Sequence, residues 1–275
     1  MKKTTFPLTF IFLLFISSVS HSFPQNYPKP GGISIIAVAP ANEKKPTVHF
    51  KSKPVAVINN GKNWLAIIGI SLKAKLGWHK IFISQTINGN IKKSTQKFFV
   101  KKHNYRTQHI TIKNKNKVTP NKRSQKRIEK EFHLKNKLKA SFSNITPSMD
   151  FIRPTTGRDS GRFGLRRILN KKSRNPHSGM DIAAPKGRKV KATEAGKVIF
   201  IGDLFFTGNT IYLDHGNGLI SLYAHLSKVT VKRGQLINRG DIIGHVGSTG
   251  RATGAHLHWS VYLNGNAVDP ALFLH

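Results

Sequence analysis

Cysteine is absent from this 275-residue sequence. Without cysteine there can be no disulfide bond, no zinc site built from thiolates and no cysteine to carry a lipid anchor. An exported protein of this composition must rely on hydrophobic cores, or on a metal held by nitrogen and oxygen ligands. The length is sufficient for two modest domains.

Acidic residues are also scarce. The sequence has 11 Asp and Glu against 46 Lys and Arg, which gives a formal net charge of +35. No acidic residue lies between Glu43 and Glu129. This stretch can therefore neither neutralise its own charge nor combine a histidine with a carboxylate in a catalytic site. So basic a chain implies an anionic partner, such as nucleic acid, a membrane surface or an anionic wall polymer.

One apolar run, Phe6 to Ile16, follows the basic start Met1-Lys-Lys3 and precedes a group of small residues. This pattern predicts a signal peptide over residues 1–22 and hence an exported protein; a buried N-terminal core segment is the alternative. The run is too short to span a bilayer, so we expect no transmembrane span in the mature chain. The lack of cysteine predicts that the protein is not a lipoprotein.

Short apolar runs separated by Gly, Pro and Asn fill residues 30–113, and they predict a small β-sandwich-like domain. The clearest runs are Ile33–Val38, Val48–Phe50, Val55–Ile58, Trp64–Ile70, Trp78–Ser84, Phe98–Val100 and Ile110–Ile112. We assign no chemistry to this domain, because acidic residues are missing from most of it.

Residues 114–147 are interpreted as a basic helical linker. Residues 101–139 carry fourteen Lys and Arg against two acids, and residues 121–140 contain neither Gly nor Pro. Apolar side chains follow a partial helical spacing there: Ile128, Phe132, Leu134 and Leu138. Two interpretations stay open, a solvated linker face and a surface for anionic envelope polymers or lipid head groups. Few aromatic residues are available for base stacking, which argues against nucleic acid.

Residues 148–275 alternate strand-like runs with turns and predict a mostly antiparallel β domain. His256 and His258 lie two apart in such a run, so their side chains share one face. His177 and Asp181 lie four apart among Pro and Gly, which predicts a loop that enters a strand rather than a helix. Taken singly, His256 could be a satisfied core histidine and Asp181 a turn or cap residue. Together, the segments offer nitrogen and oxygen ligands of the types that catalytic zinc uses.

Three segments resemble, in the same order, the signature segments of the M23 (LytM/lysostaphin-type) zinc metallopeptidases. They are His177-Ser-Gly-Met-Asp181, Tyr223-Ala-His225-Leu and Thr253-Gly-Ala-His256-Leu-His258. Phe163-Gly-Leu-Arg166 and Asp214-His-Gly-Asn-Gly218 are also similar to blocks of this family, and the match covers about residues 150–275. More loosely, Gly31-Gly-Ile33 and Trp64–Ile70 resemble an N-terminal β domain that precedes some M23 catalytic domains.

The resemblance implies one zinc per chain, bound by His177, Asp181 and His258. It implies a second pair, His225 and His256, that acts as general base and oxyanion stabiliser. Tyr223 is a candidate substrate-binding residue, with a core aromatic side chain as the equal alternative.

The implied reaction is hydrolysis of the stem peptides or cross-links of peptidoglycan, in the periplasm or at the cell envelope. Two alternatives remain from the sequence. One is a non-enzymatic LytM-type regulator that activates other cell-wall hydrolases, and the other is a cationic protein that binds envelope polymers.

Overall fold

The computed structural model describes residues 23–87 and 89–274. The predicted signal peptide, residues 1–22, lies outside the described residues. The N-terminal part contains strands β1 to β8: Ile33–Pro40, Thr47–Phe50, Lys53–Pro54, Ala56–Asn59, Asn63–Gly69, Gly77–Ile87, Asn90–Val100 and Thr107–Ile110. A 3-10 helix (Lys115–Lys117) and helix α1 (Lys122–Lys139) follow.

The C-terminal part contains strands β9 to β21 and ends in a 3-10 helix at Pro270–Phe273. The strands are Arg158–Gly161, Arg166–Leu169, Lys172–Ser173, Met180–Ala183, Lys189–Lys191, Gly196–Leu204, Gly208–Gly216, Leu219–Leu226, Lys228–Val229, Leu236–Ile237, Ile242–His245, His256–Leu263 and Asn266–Val268. The mainly β fold predicted from the sequence is confirmed.

The N-terminal strands form two sheets, with the orders β1-β5-β4 and β3-β2-β6-β7. Apolar side chains from both sheets form one buried cluster between them. The buried cluster forms because successive side chains of a strand point to opposite faces of the sheet. In β6, Ile81 and Ile83 are buried while their neighbours Lys80 and Phe82 are exposed. The arrangement is the predicted sandwich of two small sheets.

The C-terminal part is built on one sheet with the order β18-β14-β15-β16-β20-β12-β9, in which β21 also pairs with β20. All of its pairings are antiparallel. Strands β12, β16 and β20 are neighbours near one side of this sheet, and they carry the three histidine-containing segments. The fold thus brings together segments that are up to 81 residues apart in sequence.

The two parts share a hydrophobic core. Ile33 and Ile67 of the first N-terminal sheet belong to the same buried cluster as Trp259 and Leu263 of β20. The Asn264 side chain accepts a hydrogen bond from Gly69 N at 2.7 Å and donates one to Gly69 O at 3.2 Å. Strand β8, within the predicted N-terminal domain, pairs in parallel with β10 of the C-terminal part. The contact between the parts is therefore extensive.

Helix α1 matches the predicted helical segment, but it is not simply a solvated linker. The Asn121 side chain caps its first turn, and Leu134 and Leu138 pack against a buried cluster of the C-terminal sheet. Glu131 is buried and accepts hydrogen bonds from the backbone N–H of Phe205. One face of α1 therefore contacts the C-terminal part. In the described part of the chain, no helix has the length and apolarity that crossing a bilayer requires.

Candidate active site

Three predicted ligand side chains converge at one point. His177 lies in the loop before β12, while Asp181 of β12 is directly opposite His258 of β20 across the sheet. Asp181 Oδ1 is 2.7 Å from His258 Nδ1 and 3.0 Å from His177 Nε2, and the two nitrogens are 3.0 Å apart. All three residues are buried. A His–Asp–His group of this kind can hold a metal ion.

The outer nitrogens of the two imidazoles are engaged by protein groups. His177 Nδ1 donates to the carbonyl oxygen of Arg162 at 2.9 Å, which leaves Nε2 with a lone pair that faces the group. His258 Nε2 lies 2.9 Å from the Ser260 hydroxyl, so its Nδ1 is the inward atom. These contacts fix ring orientation in the way that metal-ligating histidines require. The donor set fits a divalent ion that accepts two imidazoles and one carboxylate, as zinc does.

The charge states of the ligands also suit a metal. Burial acts to raise the pKa of Asp181, but hydrogen bonds and charge interactions with His177 and His258 outweigh it and hold that pKa well below its usual range. Burial lowers the pKa of His258 to about 4, although its hydrogen bond with Asp181 opposes the shift. At neutral pH the site therefore offers a carboxylate and a neutral imidazole, the forms that bind metals.

The second predicted pair lies beside this group. The ring centroids of His225 and His256 are 4.7 Å apart, and those of His225 and His258 are 5.9 Å apart. His256 Nε2 is 3.9 Å from Asp181 Oδ1. The Nδ1 atoms of His225 and His256 are hydrogen-bonded to the carbonyl oxygens of Thr249 and Gly254, so both Nε2 atoms are left for chemistry.

His225 adopts an uncommon backbone conformation, with φ at 62°. Its backbone N–H bonds to Thr207 O at 2.8 Å and its Nδ1 to Thr249 O at 2.7 Å. Left-handed backbone is unfavourable for a residue with a Cβ, and it persists where the surroundings over-determine it, often at functional sites. Burial lowers the pKa of His225 to about 3, and His256 and His258 reinforce the shift. The imidazole is therefore neutral at neutral pH.

The group opens into two cavities. One of about 240 Å³ is lined by Asp181, His225 and His256, and the other, of about 390 Å³, by His177, His225 and His258. Arg167 and Arg251 border both. The candidate ligands and the second histidine pair thus face space that a substrate can enter.

Of the two interpretations of Tyr223, the structure favours a core aromatic residue over a substrate-binding one. Its side chain is fully buried, in the same cluster as Trp259, and its hydroxyl is 2.9 Å from Thr193 N. The expectation assumed that Tyr223 and His225 share a strand face, but the left-handed backbone at His225 interrupts the alternation. Tyr223 is a core aromatic residue, which was the stated alternative.

Two site residues were missed in the sequence. Arg167 donates to Asp181 Oδ2 at 2.6 Å and so holds the oxygen that does not face the histidines. Ser260 contacts His258 Nε2. The signal for Ser260 was present, since it follows His258 by two on the same strand face. Arg167 had no such signal, because its distance from Asp181 depends on how β10 sits against β12.

A buried His–Asp–His group with two further histidines, at an open cleft of an antiparallel sheet, defines a metallopeptidase type of site. Residues 175–270 match peptidase family M23, and residues 26–103 match the peptidase family M23 N-terminal domain. A crystal structure of an M23 peptidase from Pseudomonas aeruginosa superposes with a TM-score of 0.75 and 37% identity, over 90% of this chain and 95% of that one. The chain belongs to peptidase family M23.

Similar sequences include DD-carboxypeptidase/endopeptidase Mpg of Neisseria meningitidis serogroup B, 45% identical over 94 residues. Peptidoglycan DD-endopeptidase ShyA of Vibrio cholerae serotype O1 is 40% identical over 113 residues. These matches cover 34% and 41% of this chain, but only 22% and 26% of the relatives. The chain therefore spans about a quarter of the length of the curated relatives it matches.

Proposed function

We propose that this protein is a zinc-dependent endopeptidase that hydrolyses the stem peptides or peptide cross-links of peptidoglycan. The observation that carries the proposal is the His177–Asp181–His258 group with His225 and His256 beside it, open to two cavities. The name of ShyA, a peptidoglycan DD-endopeptidase, supplies the substrate class.

In this proposal His177, Asp181 and His258 hold one zinc ion per chain. Zinc, when bound, acts as a Lewis acid that activates water and polarises a carbonyl group. Arg167 and the Arg162 carbonyl keep the carboxylate and the His177 ring in place, so that the ligand set is formed before substrate arrives.

His225 and His256 move protons. Each Nδ1 is committed to a backbone carbonyl, so each Nε2 carries the lone pair in the neutral ring. One ring accepts a proton from the attacking water as general base and returns it to the amine nitrogen as the C–N bond breaks. The other ring, when protonated, donates a hydrogen bond to the developing oxyanion. No glutamate lines either cavity in the described part of the chain, so histidine is the proton carrier at hand.

The regulator and polymer-binding alternatives predict no turnover. A regulator that only activates other hydrolases needs neither metal ligands nor proton carriers, yet the five residues are all present here with their rings oriented by hydrogen bonds. This ordered arrangement favours the enzyme.

We propose further that the protein is exported and that its N-terminal part holds it on anionic envelope material. Trp78 and Phe99 pair on the exposed face of the β6–β7 hairpin, their ring centroids 5.4 Å apart. Lys80 and Lys97 follow as the opposed pair two residues further along. Aromatic rings next to unneutralised cations suit an anionic polymer or the head-group region of a lipid surface.

The test uses a soluble cross-linked muropeptide dimer. The zinc-loaded full chain is expected to convert dimer to monomers, to lose this activity in chelator and to regain it when zinc is added back. Absence of cleavage by a folded, zinc-loaded chain would favour the regulator or the polymer-binding protein.

A further inference from the structure

The larger of the two cavities beside the candidate metal ligands has an unusual wall. His177 and His258 line one side of this space of about 390 Å³. Arg167, Arg174, Arg251 and Lys135 complete the set of charged residues around it, and no Asp or Glu is among the described residues that line it. The cavity therefore gathers four cationic side chains without a carboxylate of its own.

The charge of this wall is poorly compensated. Asp181 neutralises Arg167 through Oδ2, but the same carboxylate also serves His177 and His258. No ion pair joins Arg174 or Arg251 to an acid in the described part of the chain. Burial lowers the pKa of Arg251 to about 10, with the charges of Arg167 and Arg174 reinforcing the shift. Cations crowded together and partly removed from water gain most from an anion that enters between them.

Arg174 and Arg251 donate to neutral carbonyl groups rather than to carboxylates in the described part of the chain. The guanidinium carbon of Arg251 lies 4.4 Å from the centroid of the Phe206 ring. Its Nη1 donates to the Lys117 carbonyl at 3.4 Å. Arg174 donates to the Val118 carbonyl through Nη2 at 2.7 Å and to the Ser173 carbonyl through Nη1 at 3.1 Å. Arg167 Nε is buried and has no hydrogen-bond partner within the described residues. Arg174 and Arg251 thus donate to neutral carbonyls, and Arg167 Nε donates to no described group. All three side chains would bind a carboxylate more strongly.

We propose that Arg174 and Arg251, together with Arg167 and Lys135, form a subsite for a carboxylate of the substrate peptide next to the bond that is cut. This inference rests on the proposed function and specifies which part of the substrate this site recognises. The carboxylate lies close to the reacting bond because the same cavity of about 390 Å³ is bounded by His177 and His258, and such a space holds only a small part of a peptide. Either a C-terminal α-carboxylate or a side-chain carboxylate has the required chemistry.

Binding of uncross-linked peptides tests the subsite without relying on turnover. Stem tetrapeptides, in which each carboxylate in turn is converted to a carboxamide, are titrated into the zinc-loaded full chain by calorimetry. One of the amidated peptides is expected to bind about 10- to 100-fold more weakly than the parent, because it loses charge-assisted hydrogen bonds. Which peptide weakens identifies the carboxylate. Equal affinity for the parent and all amidated peptides would overturn the proposal.

Substitutions then locate the recognition. In Arg251→Gln and Arg174→Gln the parent peptide should bind more weakly, and the difference between parent and amidated peptide should shrink to less than about threefold. Arg233→Gln, the same substitution at an exposed position between β17 and β18, is the control and should keep the full difference. If both cavity variants fold and keep the full affinity difference between parent and amidated peptide, another group, such as the metal, binds the carboxylate. The assignment is then wrong.

The outcome is separable from that of the proposed function. If the chain discriminates between the peptides through Arg174 and Arg251 yet never cleaves a cross-linked dimer, the subsite stands and the endopeptidase proposal fails. If it cleaves amidated and parent dimers with equal kcat/KM, the endopeptidase proposal stands and the subsite fails. Wild-type discrimination requires no variant to fold and by itself can overturn the proposal. If Arg251→Gln fails to fold, Arg174→Gln locates the recognition.

Discussion

The two parts of this molecule use charge in opposite ways. Residues 44–128 contain no acidic residue, whereas residues 148–275 contain eight. In the C-terminal part the acids hold particular partners, such as Asp181 with Arg167 and Asp150 with Arg239. In the N-terminal sandwich, lysines such as Lys80 and Lys97 face solvent directly opposite one another. Charged side chains of the C-terminal part form specific ion pairs, whereas those of the N-terminal sandwich give its surface a positive charge.

This difference predicts two kinds of mutational response. Changes in the His177–Asp181–His258 group of the C-terminal part should act through single residues and depend little on salt, because these three residues are buried. Changes in the N-terminal part should be small, shared among many lysines and screened by salt over about 8–10 Å.

The largest effect is expected from the ligand group. Asp181→Ala or His258→Ala should remove nearly all zinc binding and activity, because a site with three protein ligands has no spare one. The loss of affinity should exceed the about 10- to 100-fold that removal of an outer-shell partner costs. Zinc content after dialysis measures it. His133→Ala, on the exposed side of α1, is the control. Stoichiometric, equally tight zinc in His258→Ala would contradict the assignment.

The second histidine pair should separate metal binding from turnover. His225→Ala and His256→Ala are expected to keep normal zinc content and to lose about 10²- to 10⁴-fold in kcat, the usual contribution of general acid–base catalysis. Zinc analysis and dimer cleavage on the same preparations measure both quantities. Full activity in either variant would remove that residue from the mechanism.

A buried histidine outside the site should make stability depend on pH. Burial lowers the pKa of His215 to about 4 from an ordinary value of 6.5, although the hydrogen bond between its Nδ1 and Ala195 O opposes the shift. The unfolded chain binds the proton first, so this stability is complete above pH 6.5 and is lost as pH falls towards 4. The loss should approach about 3 kcal/mol.

Chemical unfolding of wild type and His215→Gln at several pH values measures this contribution. The variant should show a flatter pH dependence in that window than the wild type. Parallel curves for the two proteins would show that His215 does not titrate as proposed.

The smallest effects are expected on the N-terminal sandwich. Lys80→Glu places a negative charge directly opposite the positive charge of Lys97. This pair should stabilise the hairpin by about 0.2–1 kcal/mol. The same change should weaken binding to purified walls and flatten its salt dependence, with cleavage of soluble dimer unchanged. Lys186→Glu makes the equal charge change on an exposed loop of the C-terminal part and is the control. If Lys186→Glu weakens wall binding as much as Lys80→Glu, net charge alone decides attachment.

Much of the site could be predicted because its signals are local. The two-residue spacing of His256 and His258 fixes a shared strand face, and Gly and Pro around His177 exclude a helix. The segment of α1 was equally predictable, since Asn121 caps a stretch without Gly or Pro. In each of these cases neighbouring residues determine the conformation.

The missed features depend on contacts between distant segments. Glu131 is buried because it meets the N–H of Phe205, which lies 74 residues away, and no pattern within α1 shows this. Arg167 reaches Asp181 only through the arrangement of β10 and β12. The sequence leaves Tyr223 open between a substrate-binding and a core residue, because strand alternation fails at the left-handed His225, a conformation that a histidine rarely adopts.

The most direct test of the proposed division between a catalytic C-terminal part and a cationic attachment surface is mass analysis of the muropeptides released from purified peptidoglycan. The zinc-loaded full chain is expected to release peptide-cleaved products, to release none in chelator, and to slow as salt rises while its rate on soluble dimer stays constant. Release that persists in chelator would contradict the catalytic role of the His177–Asp181–His258 group. Equal salt dependence on both substrates would contradict attachment through the N-terminal part.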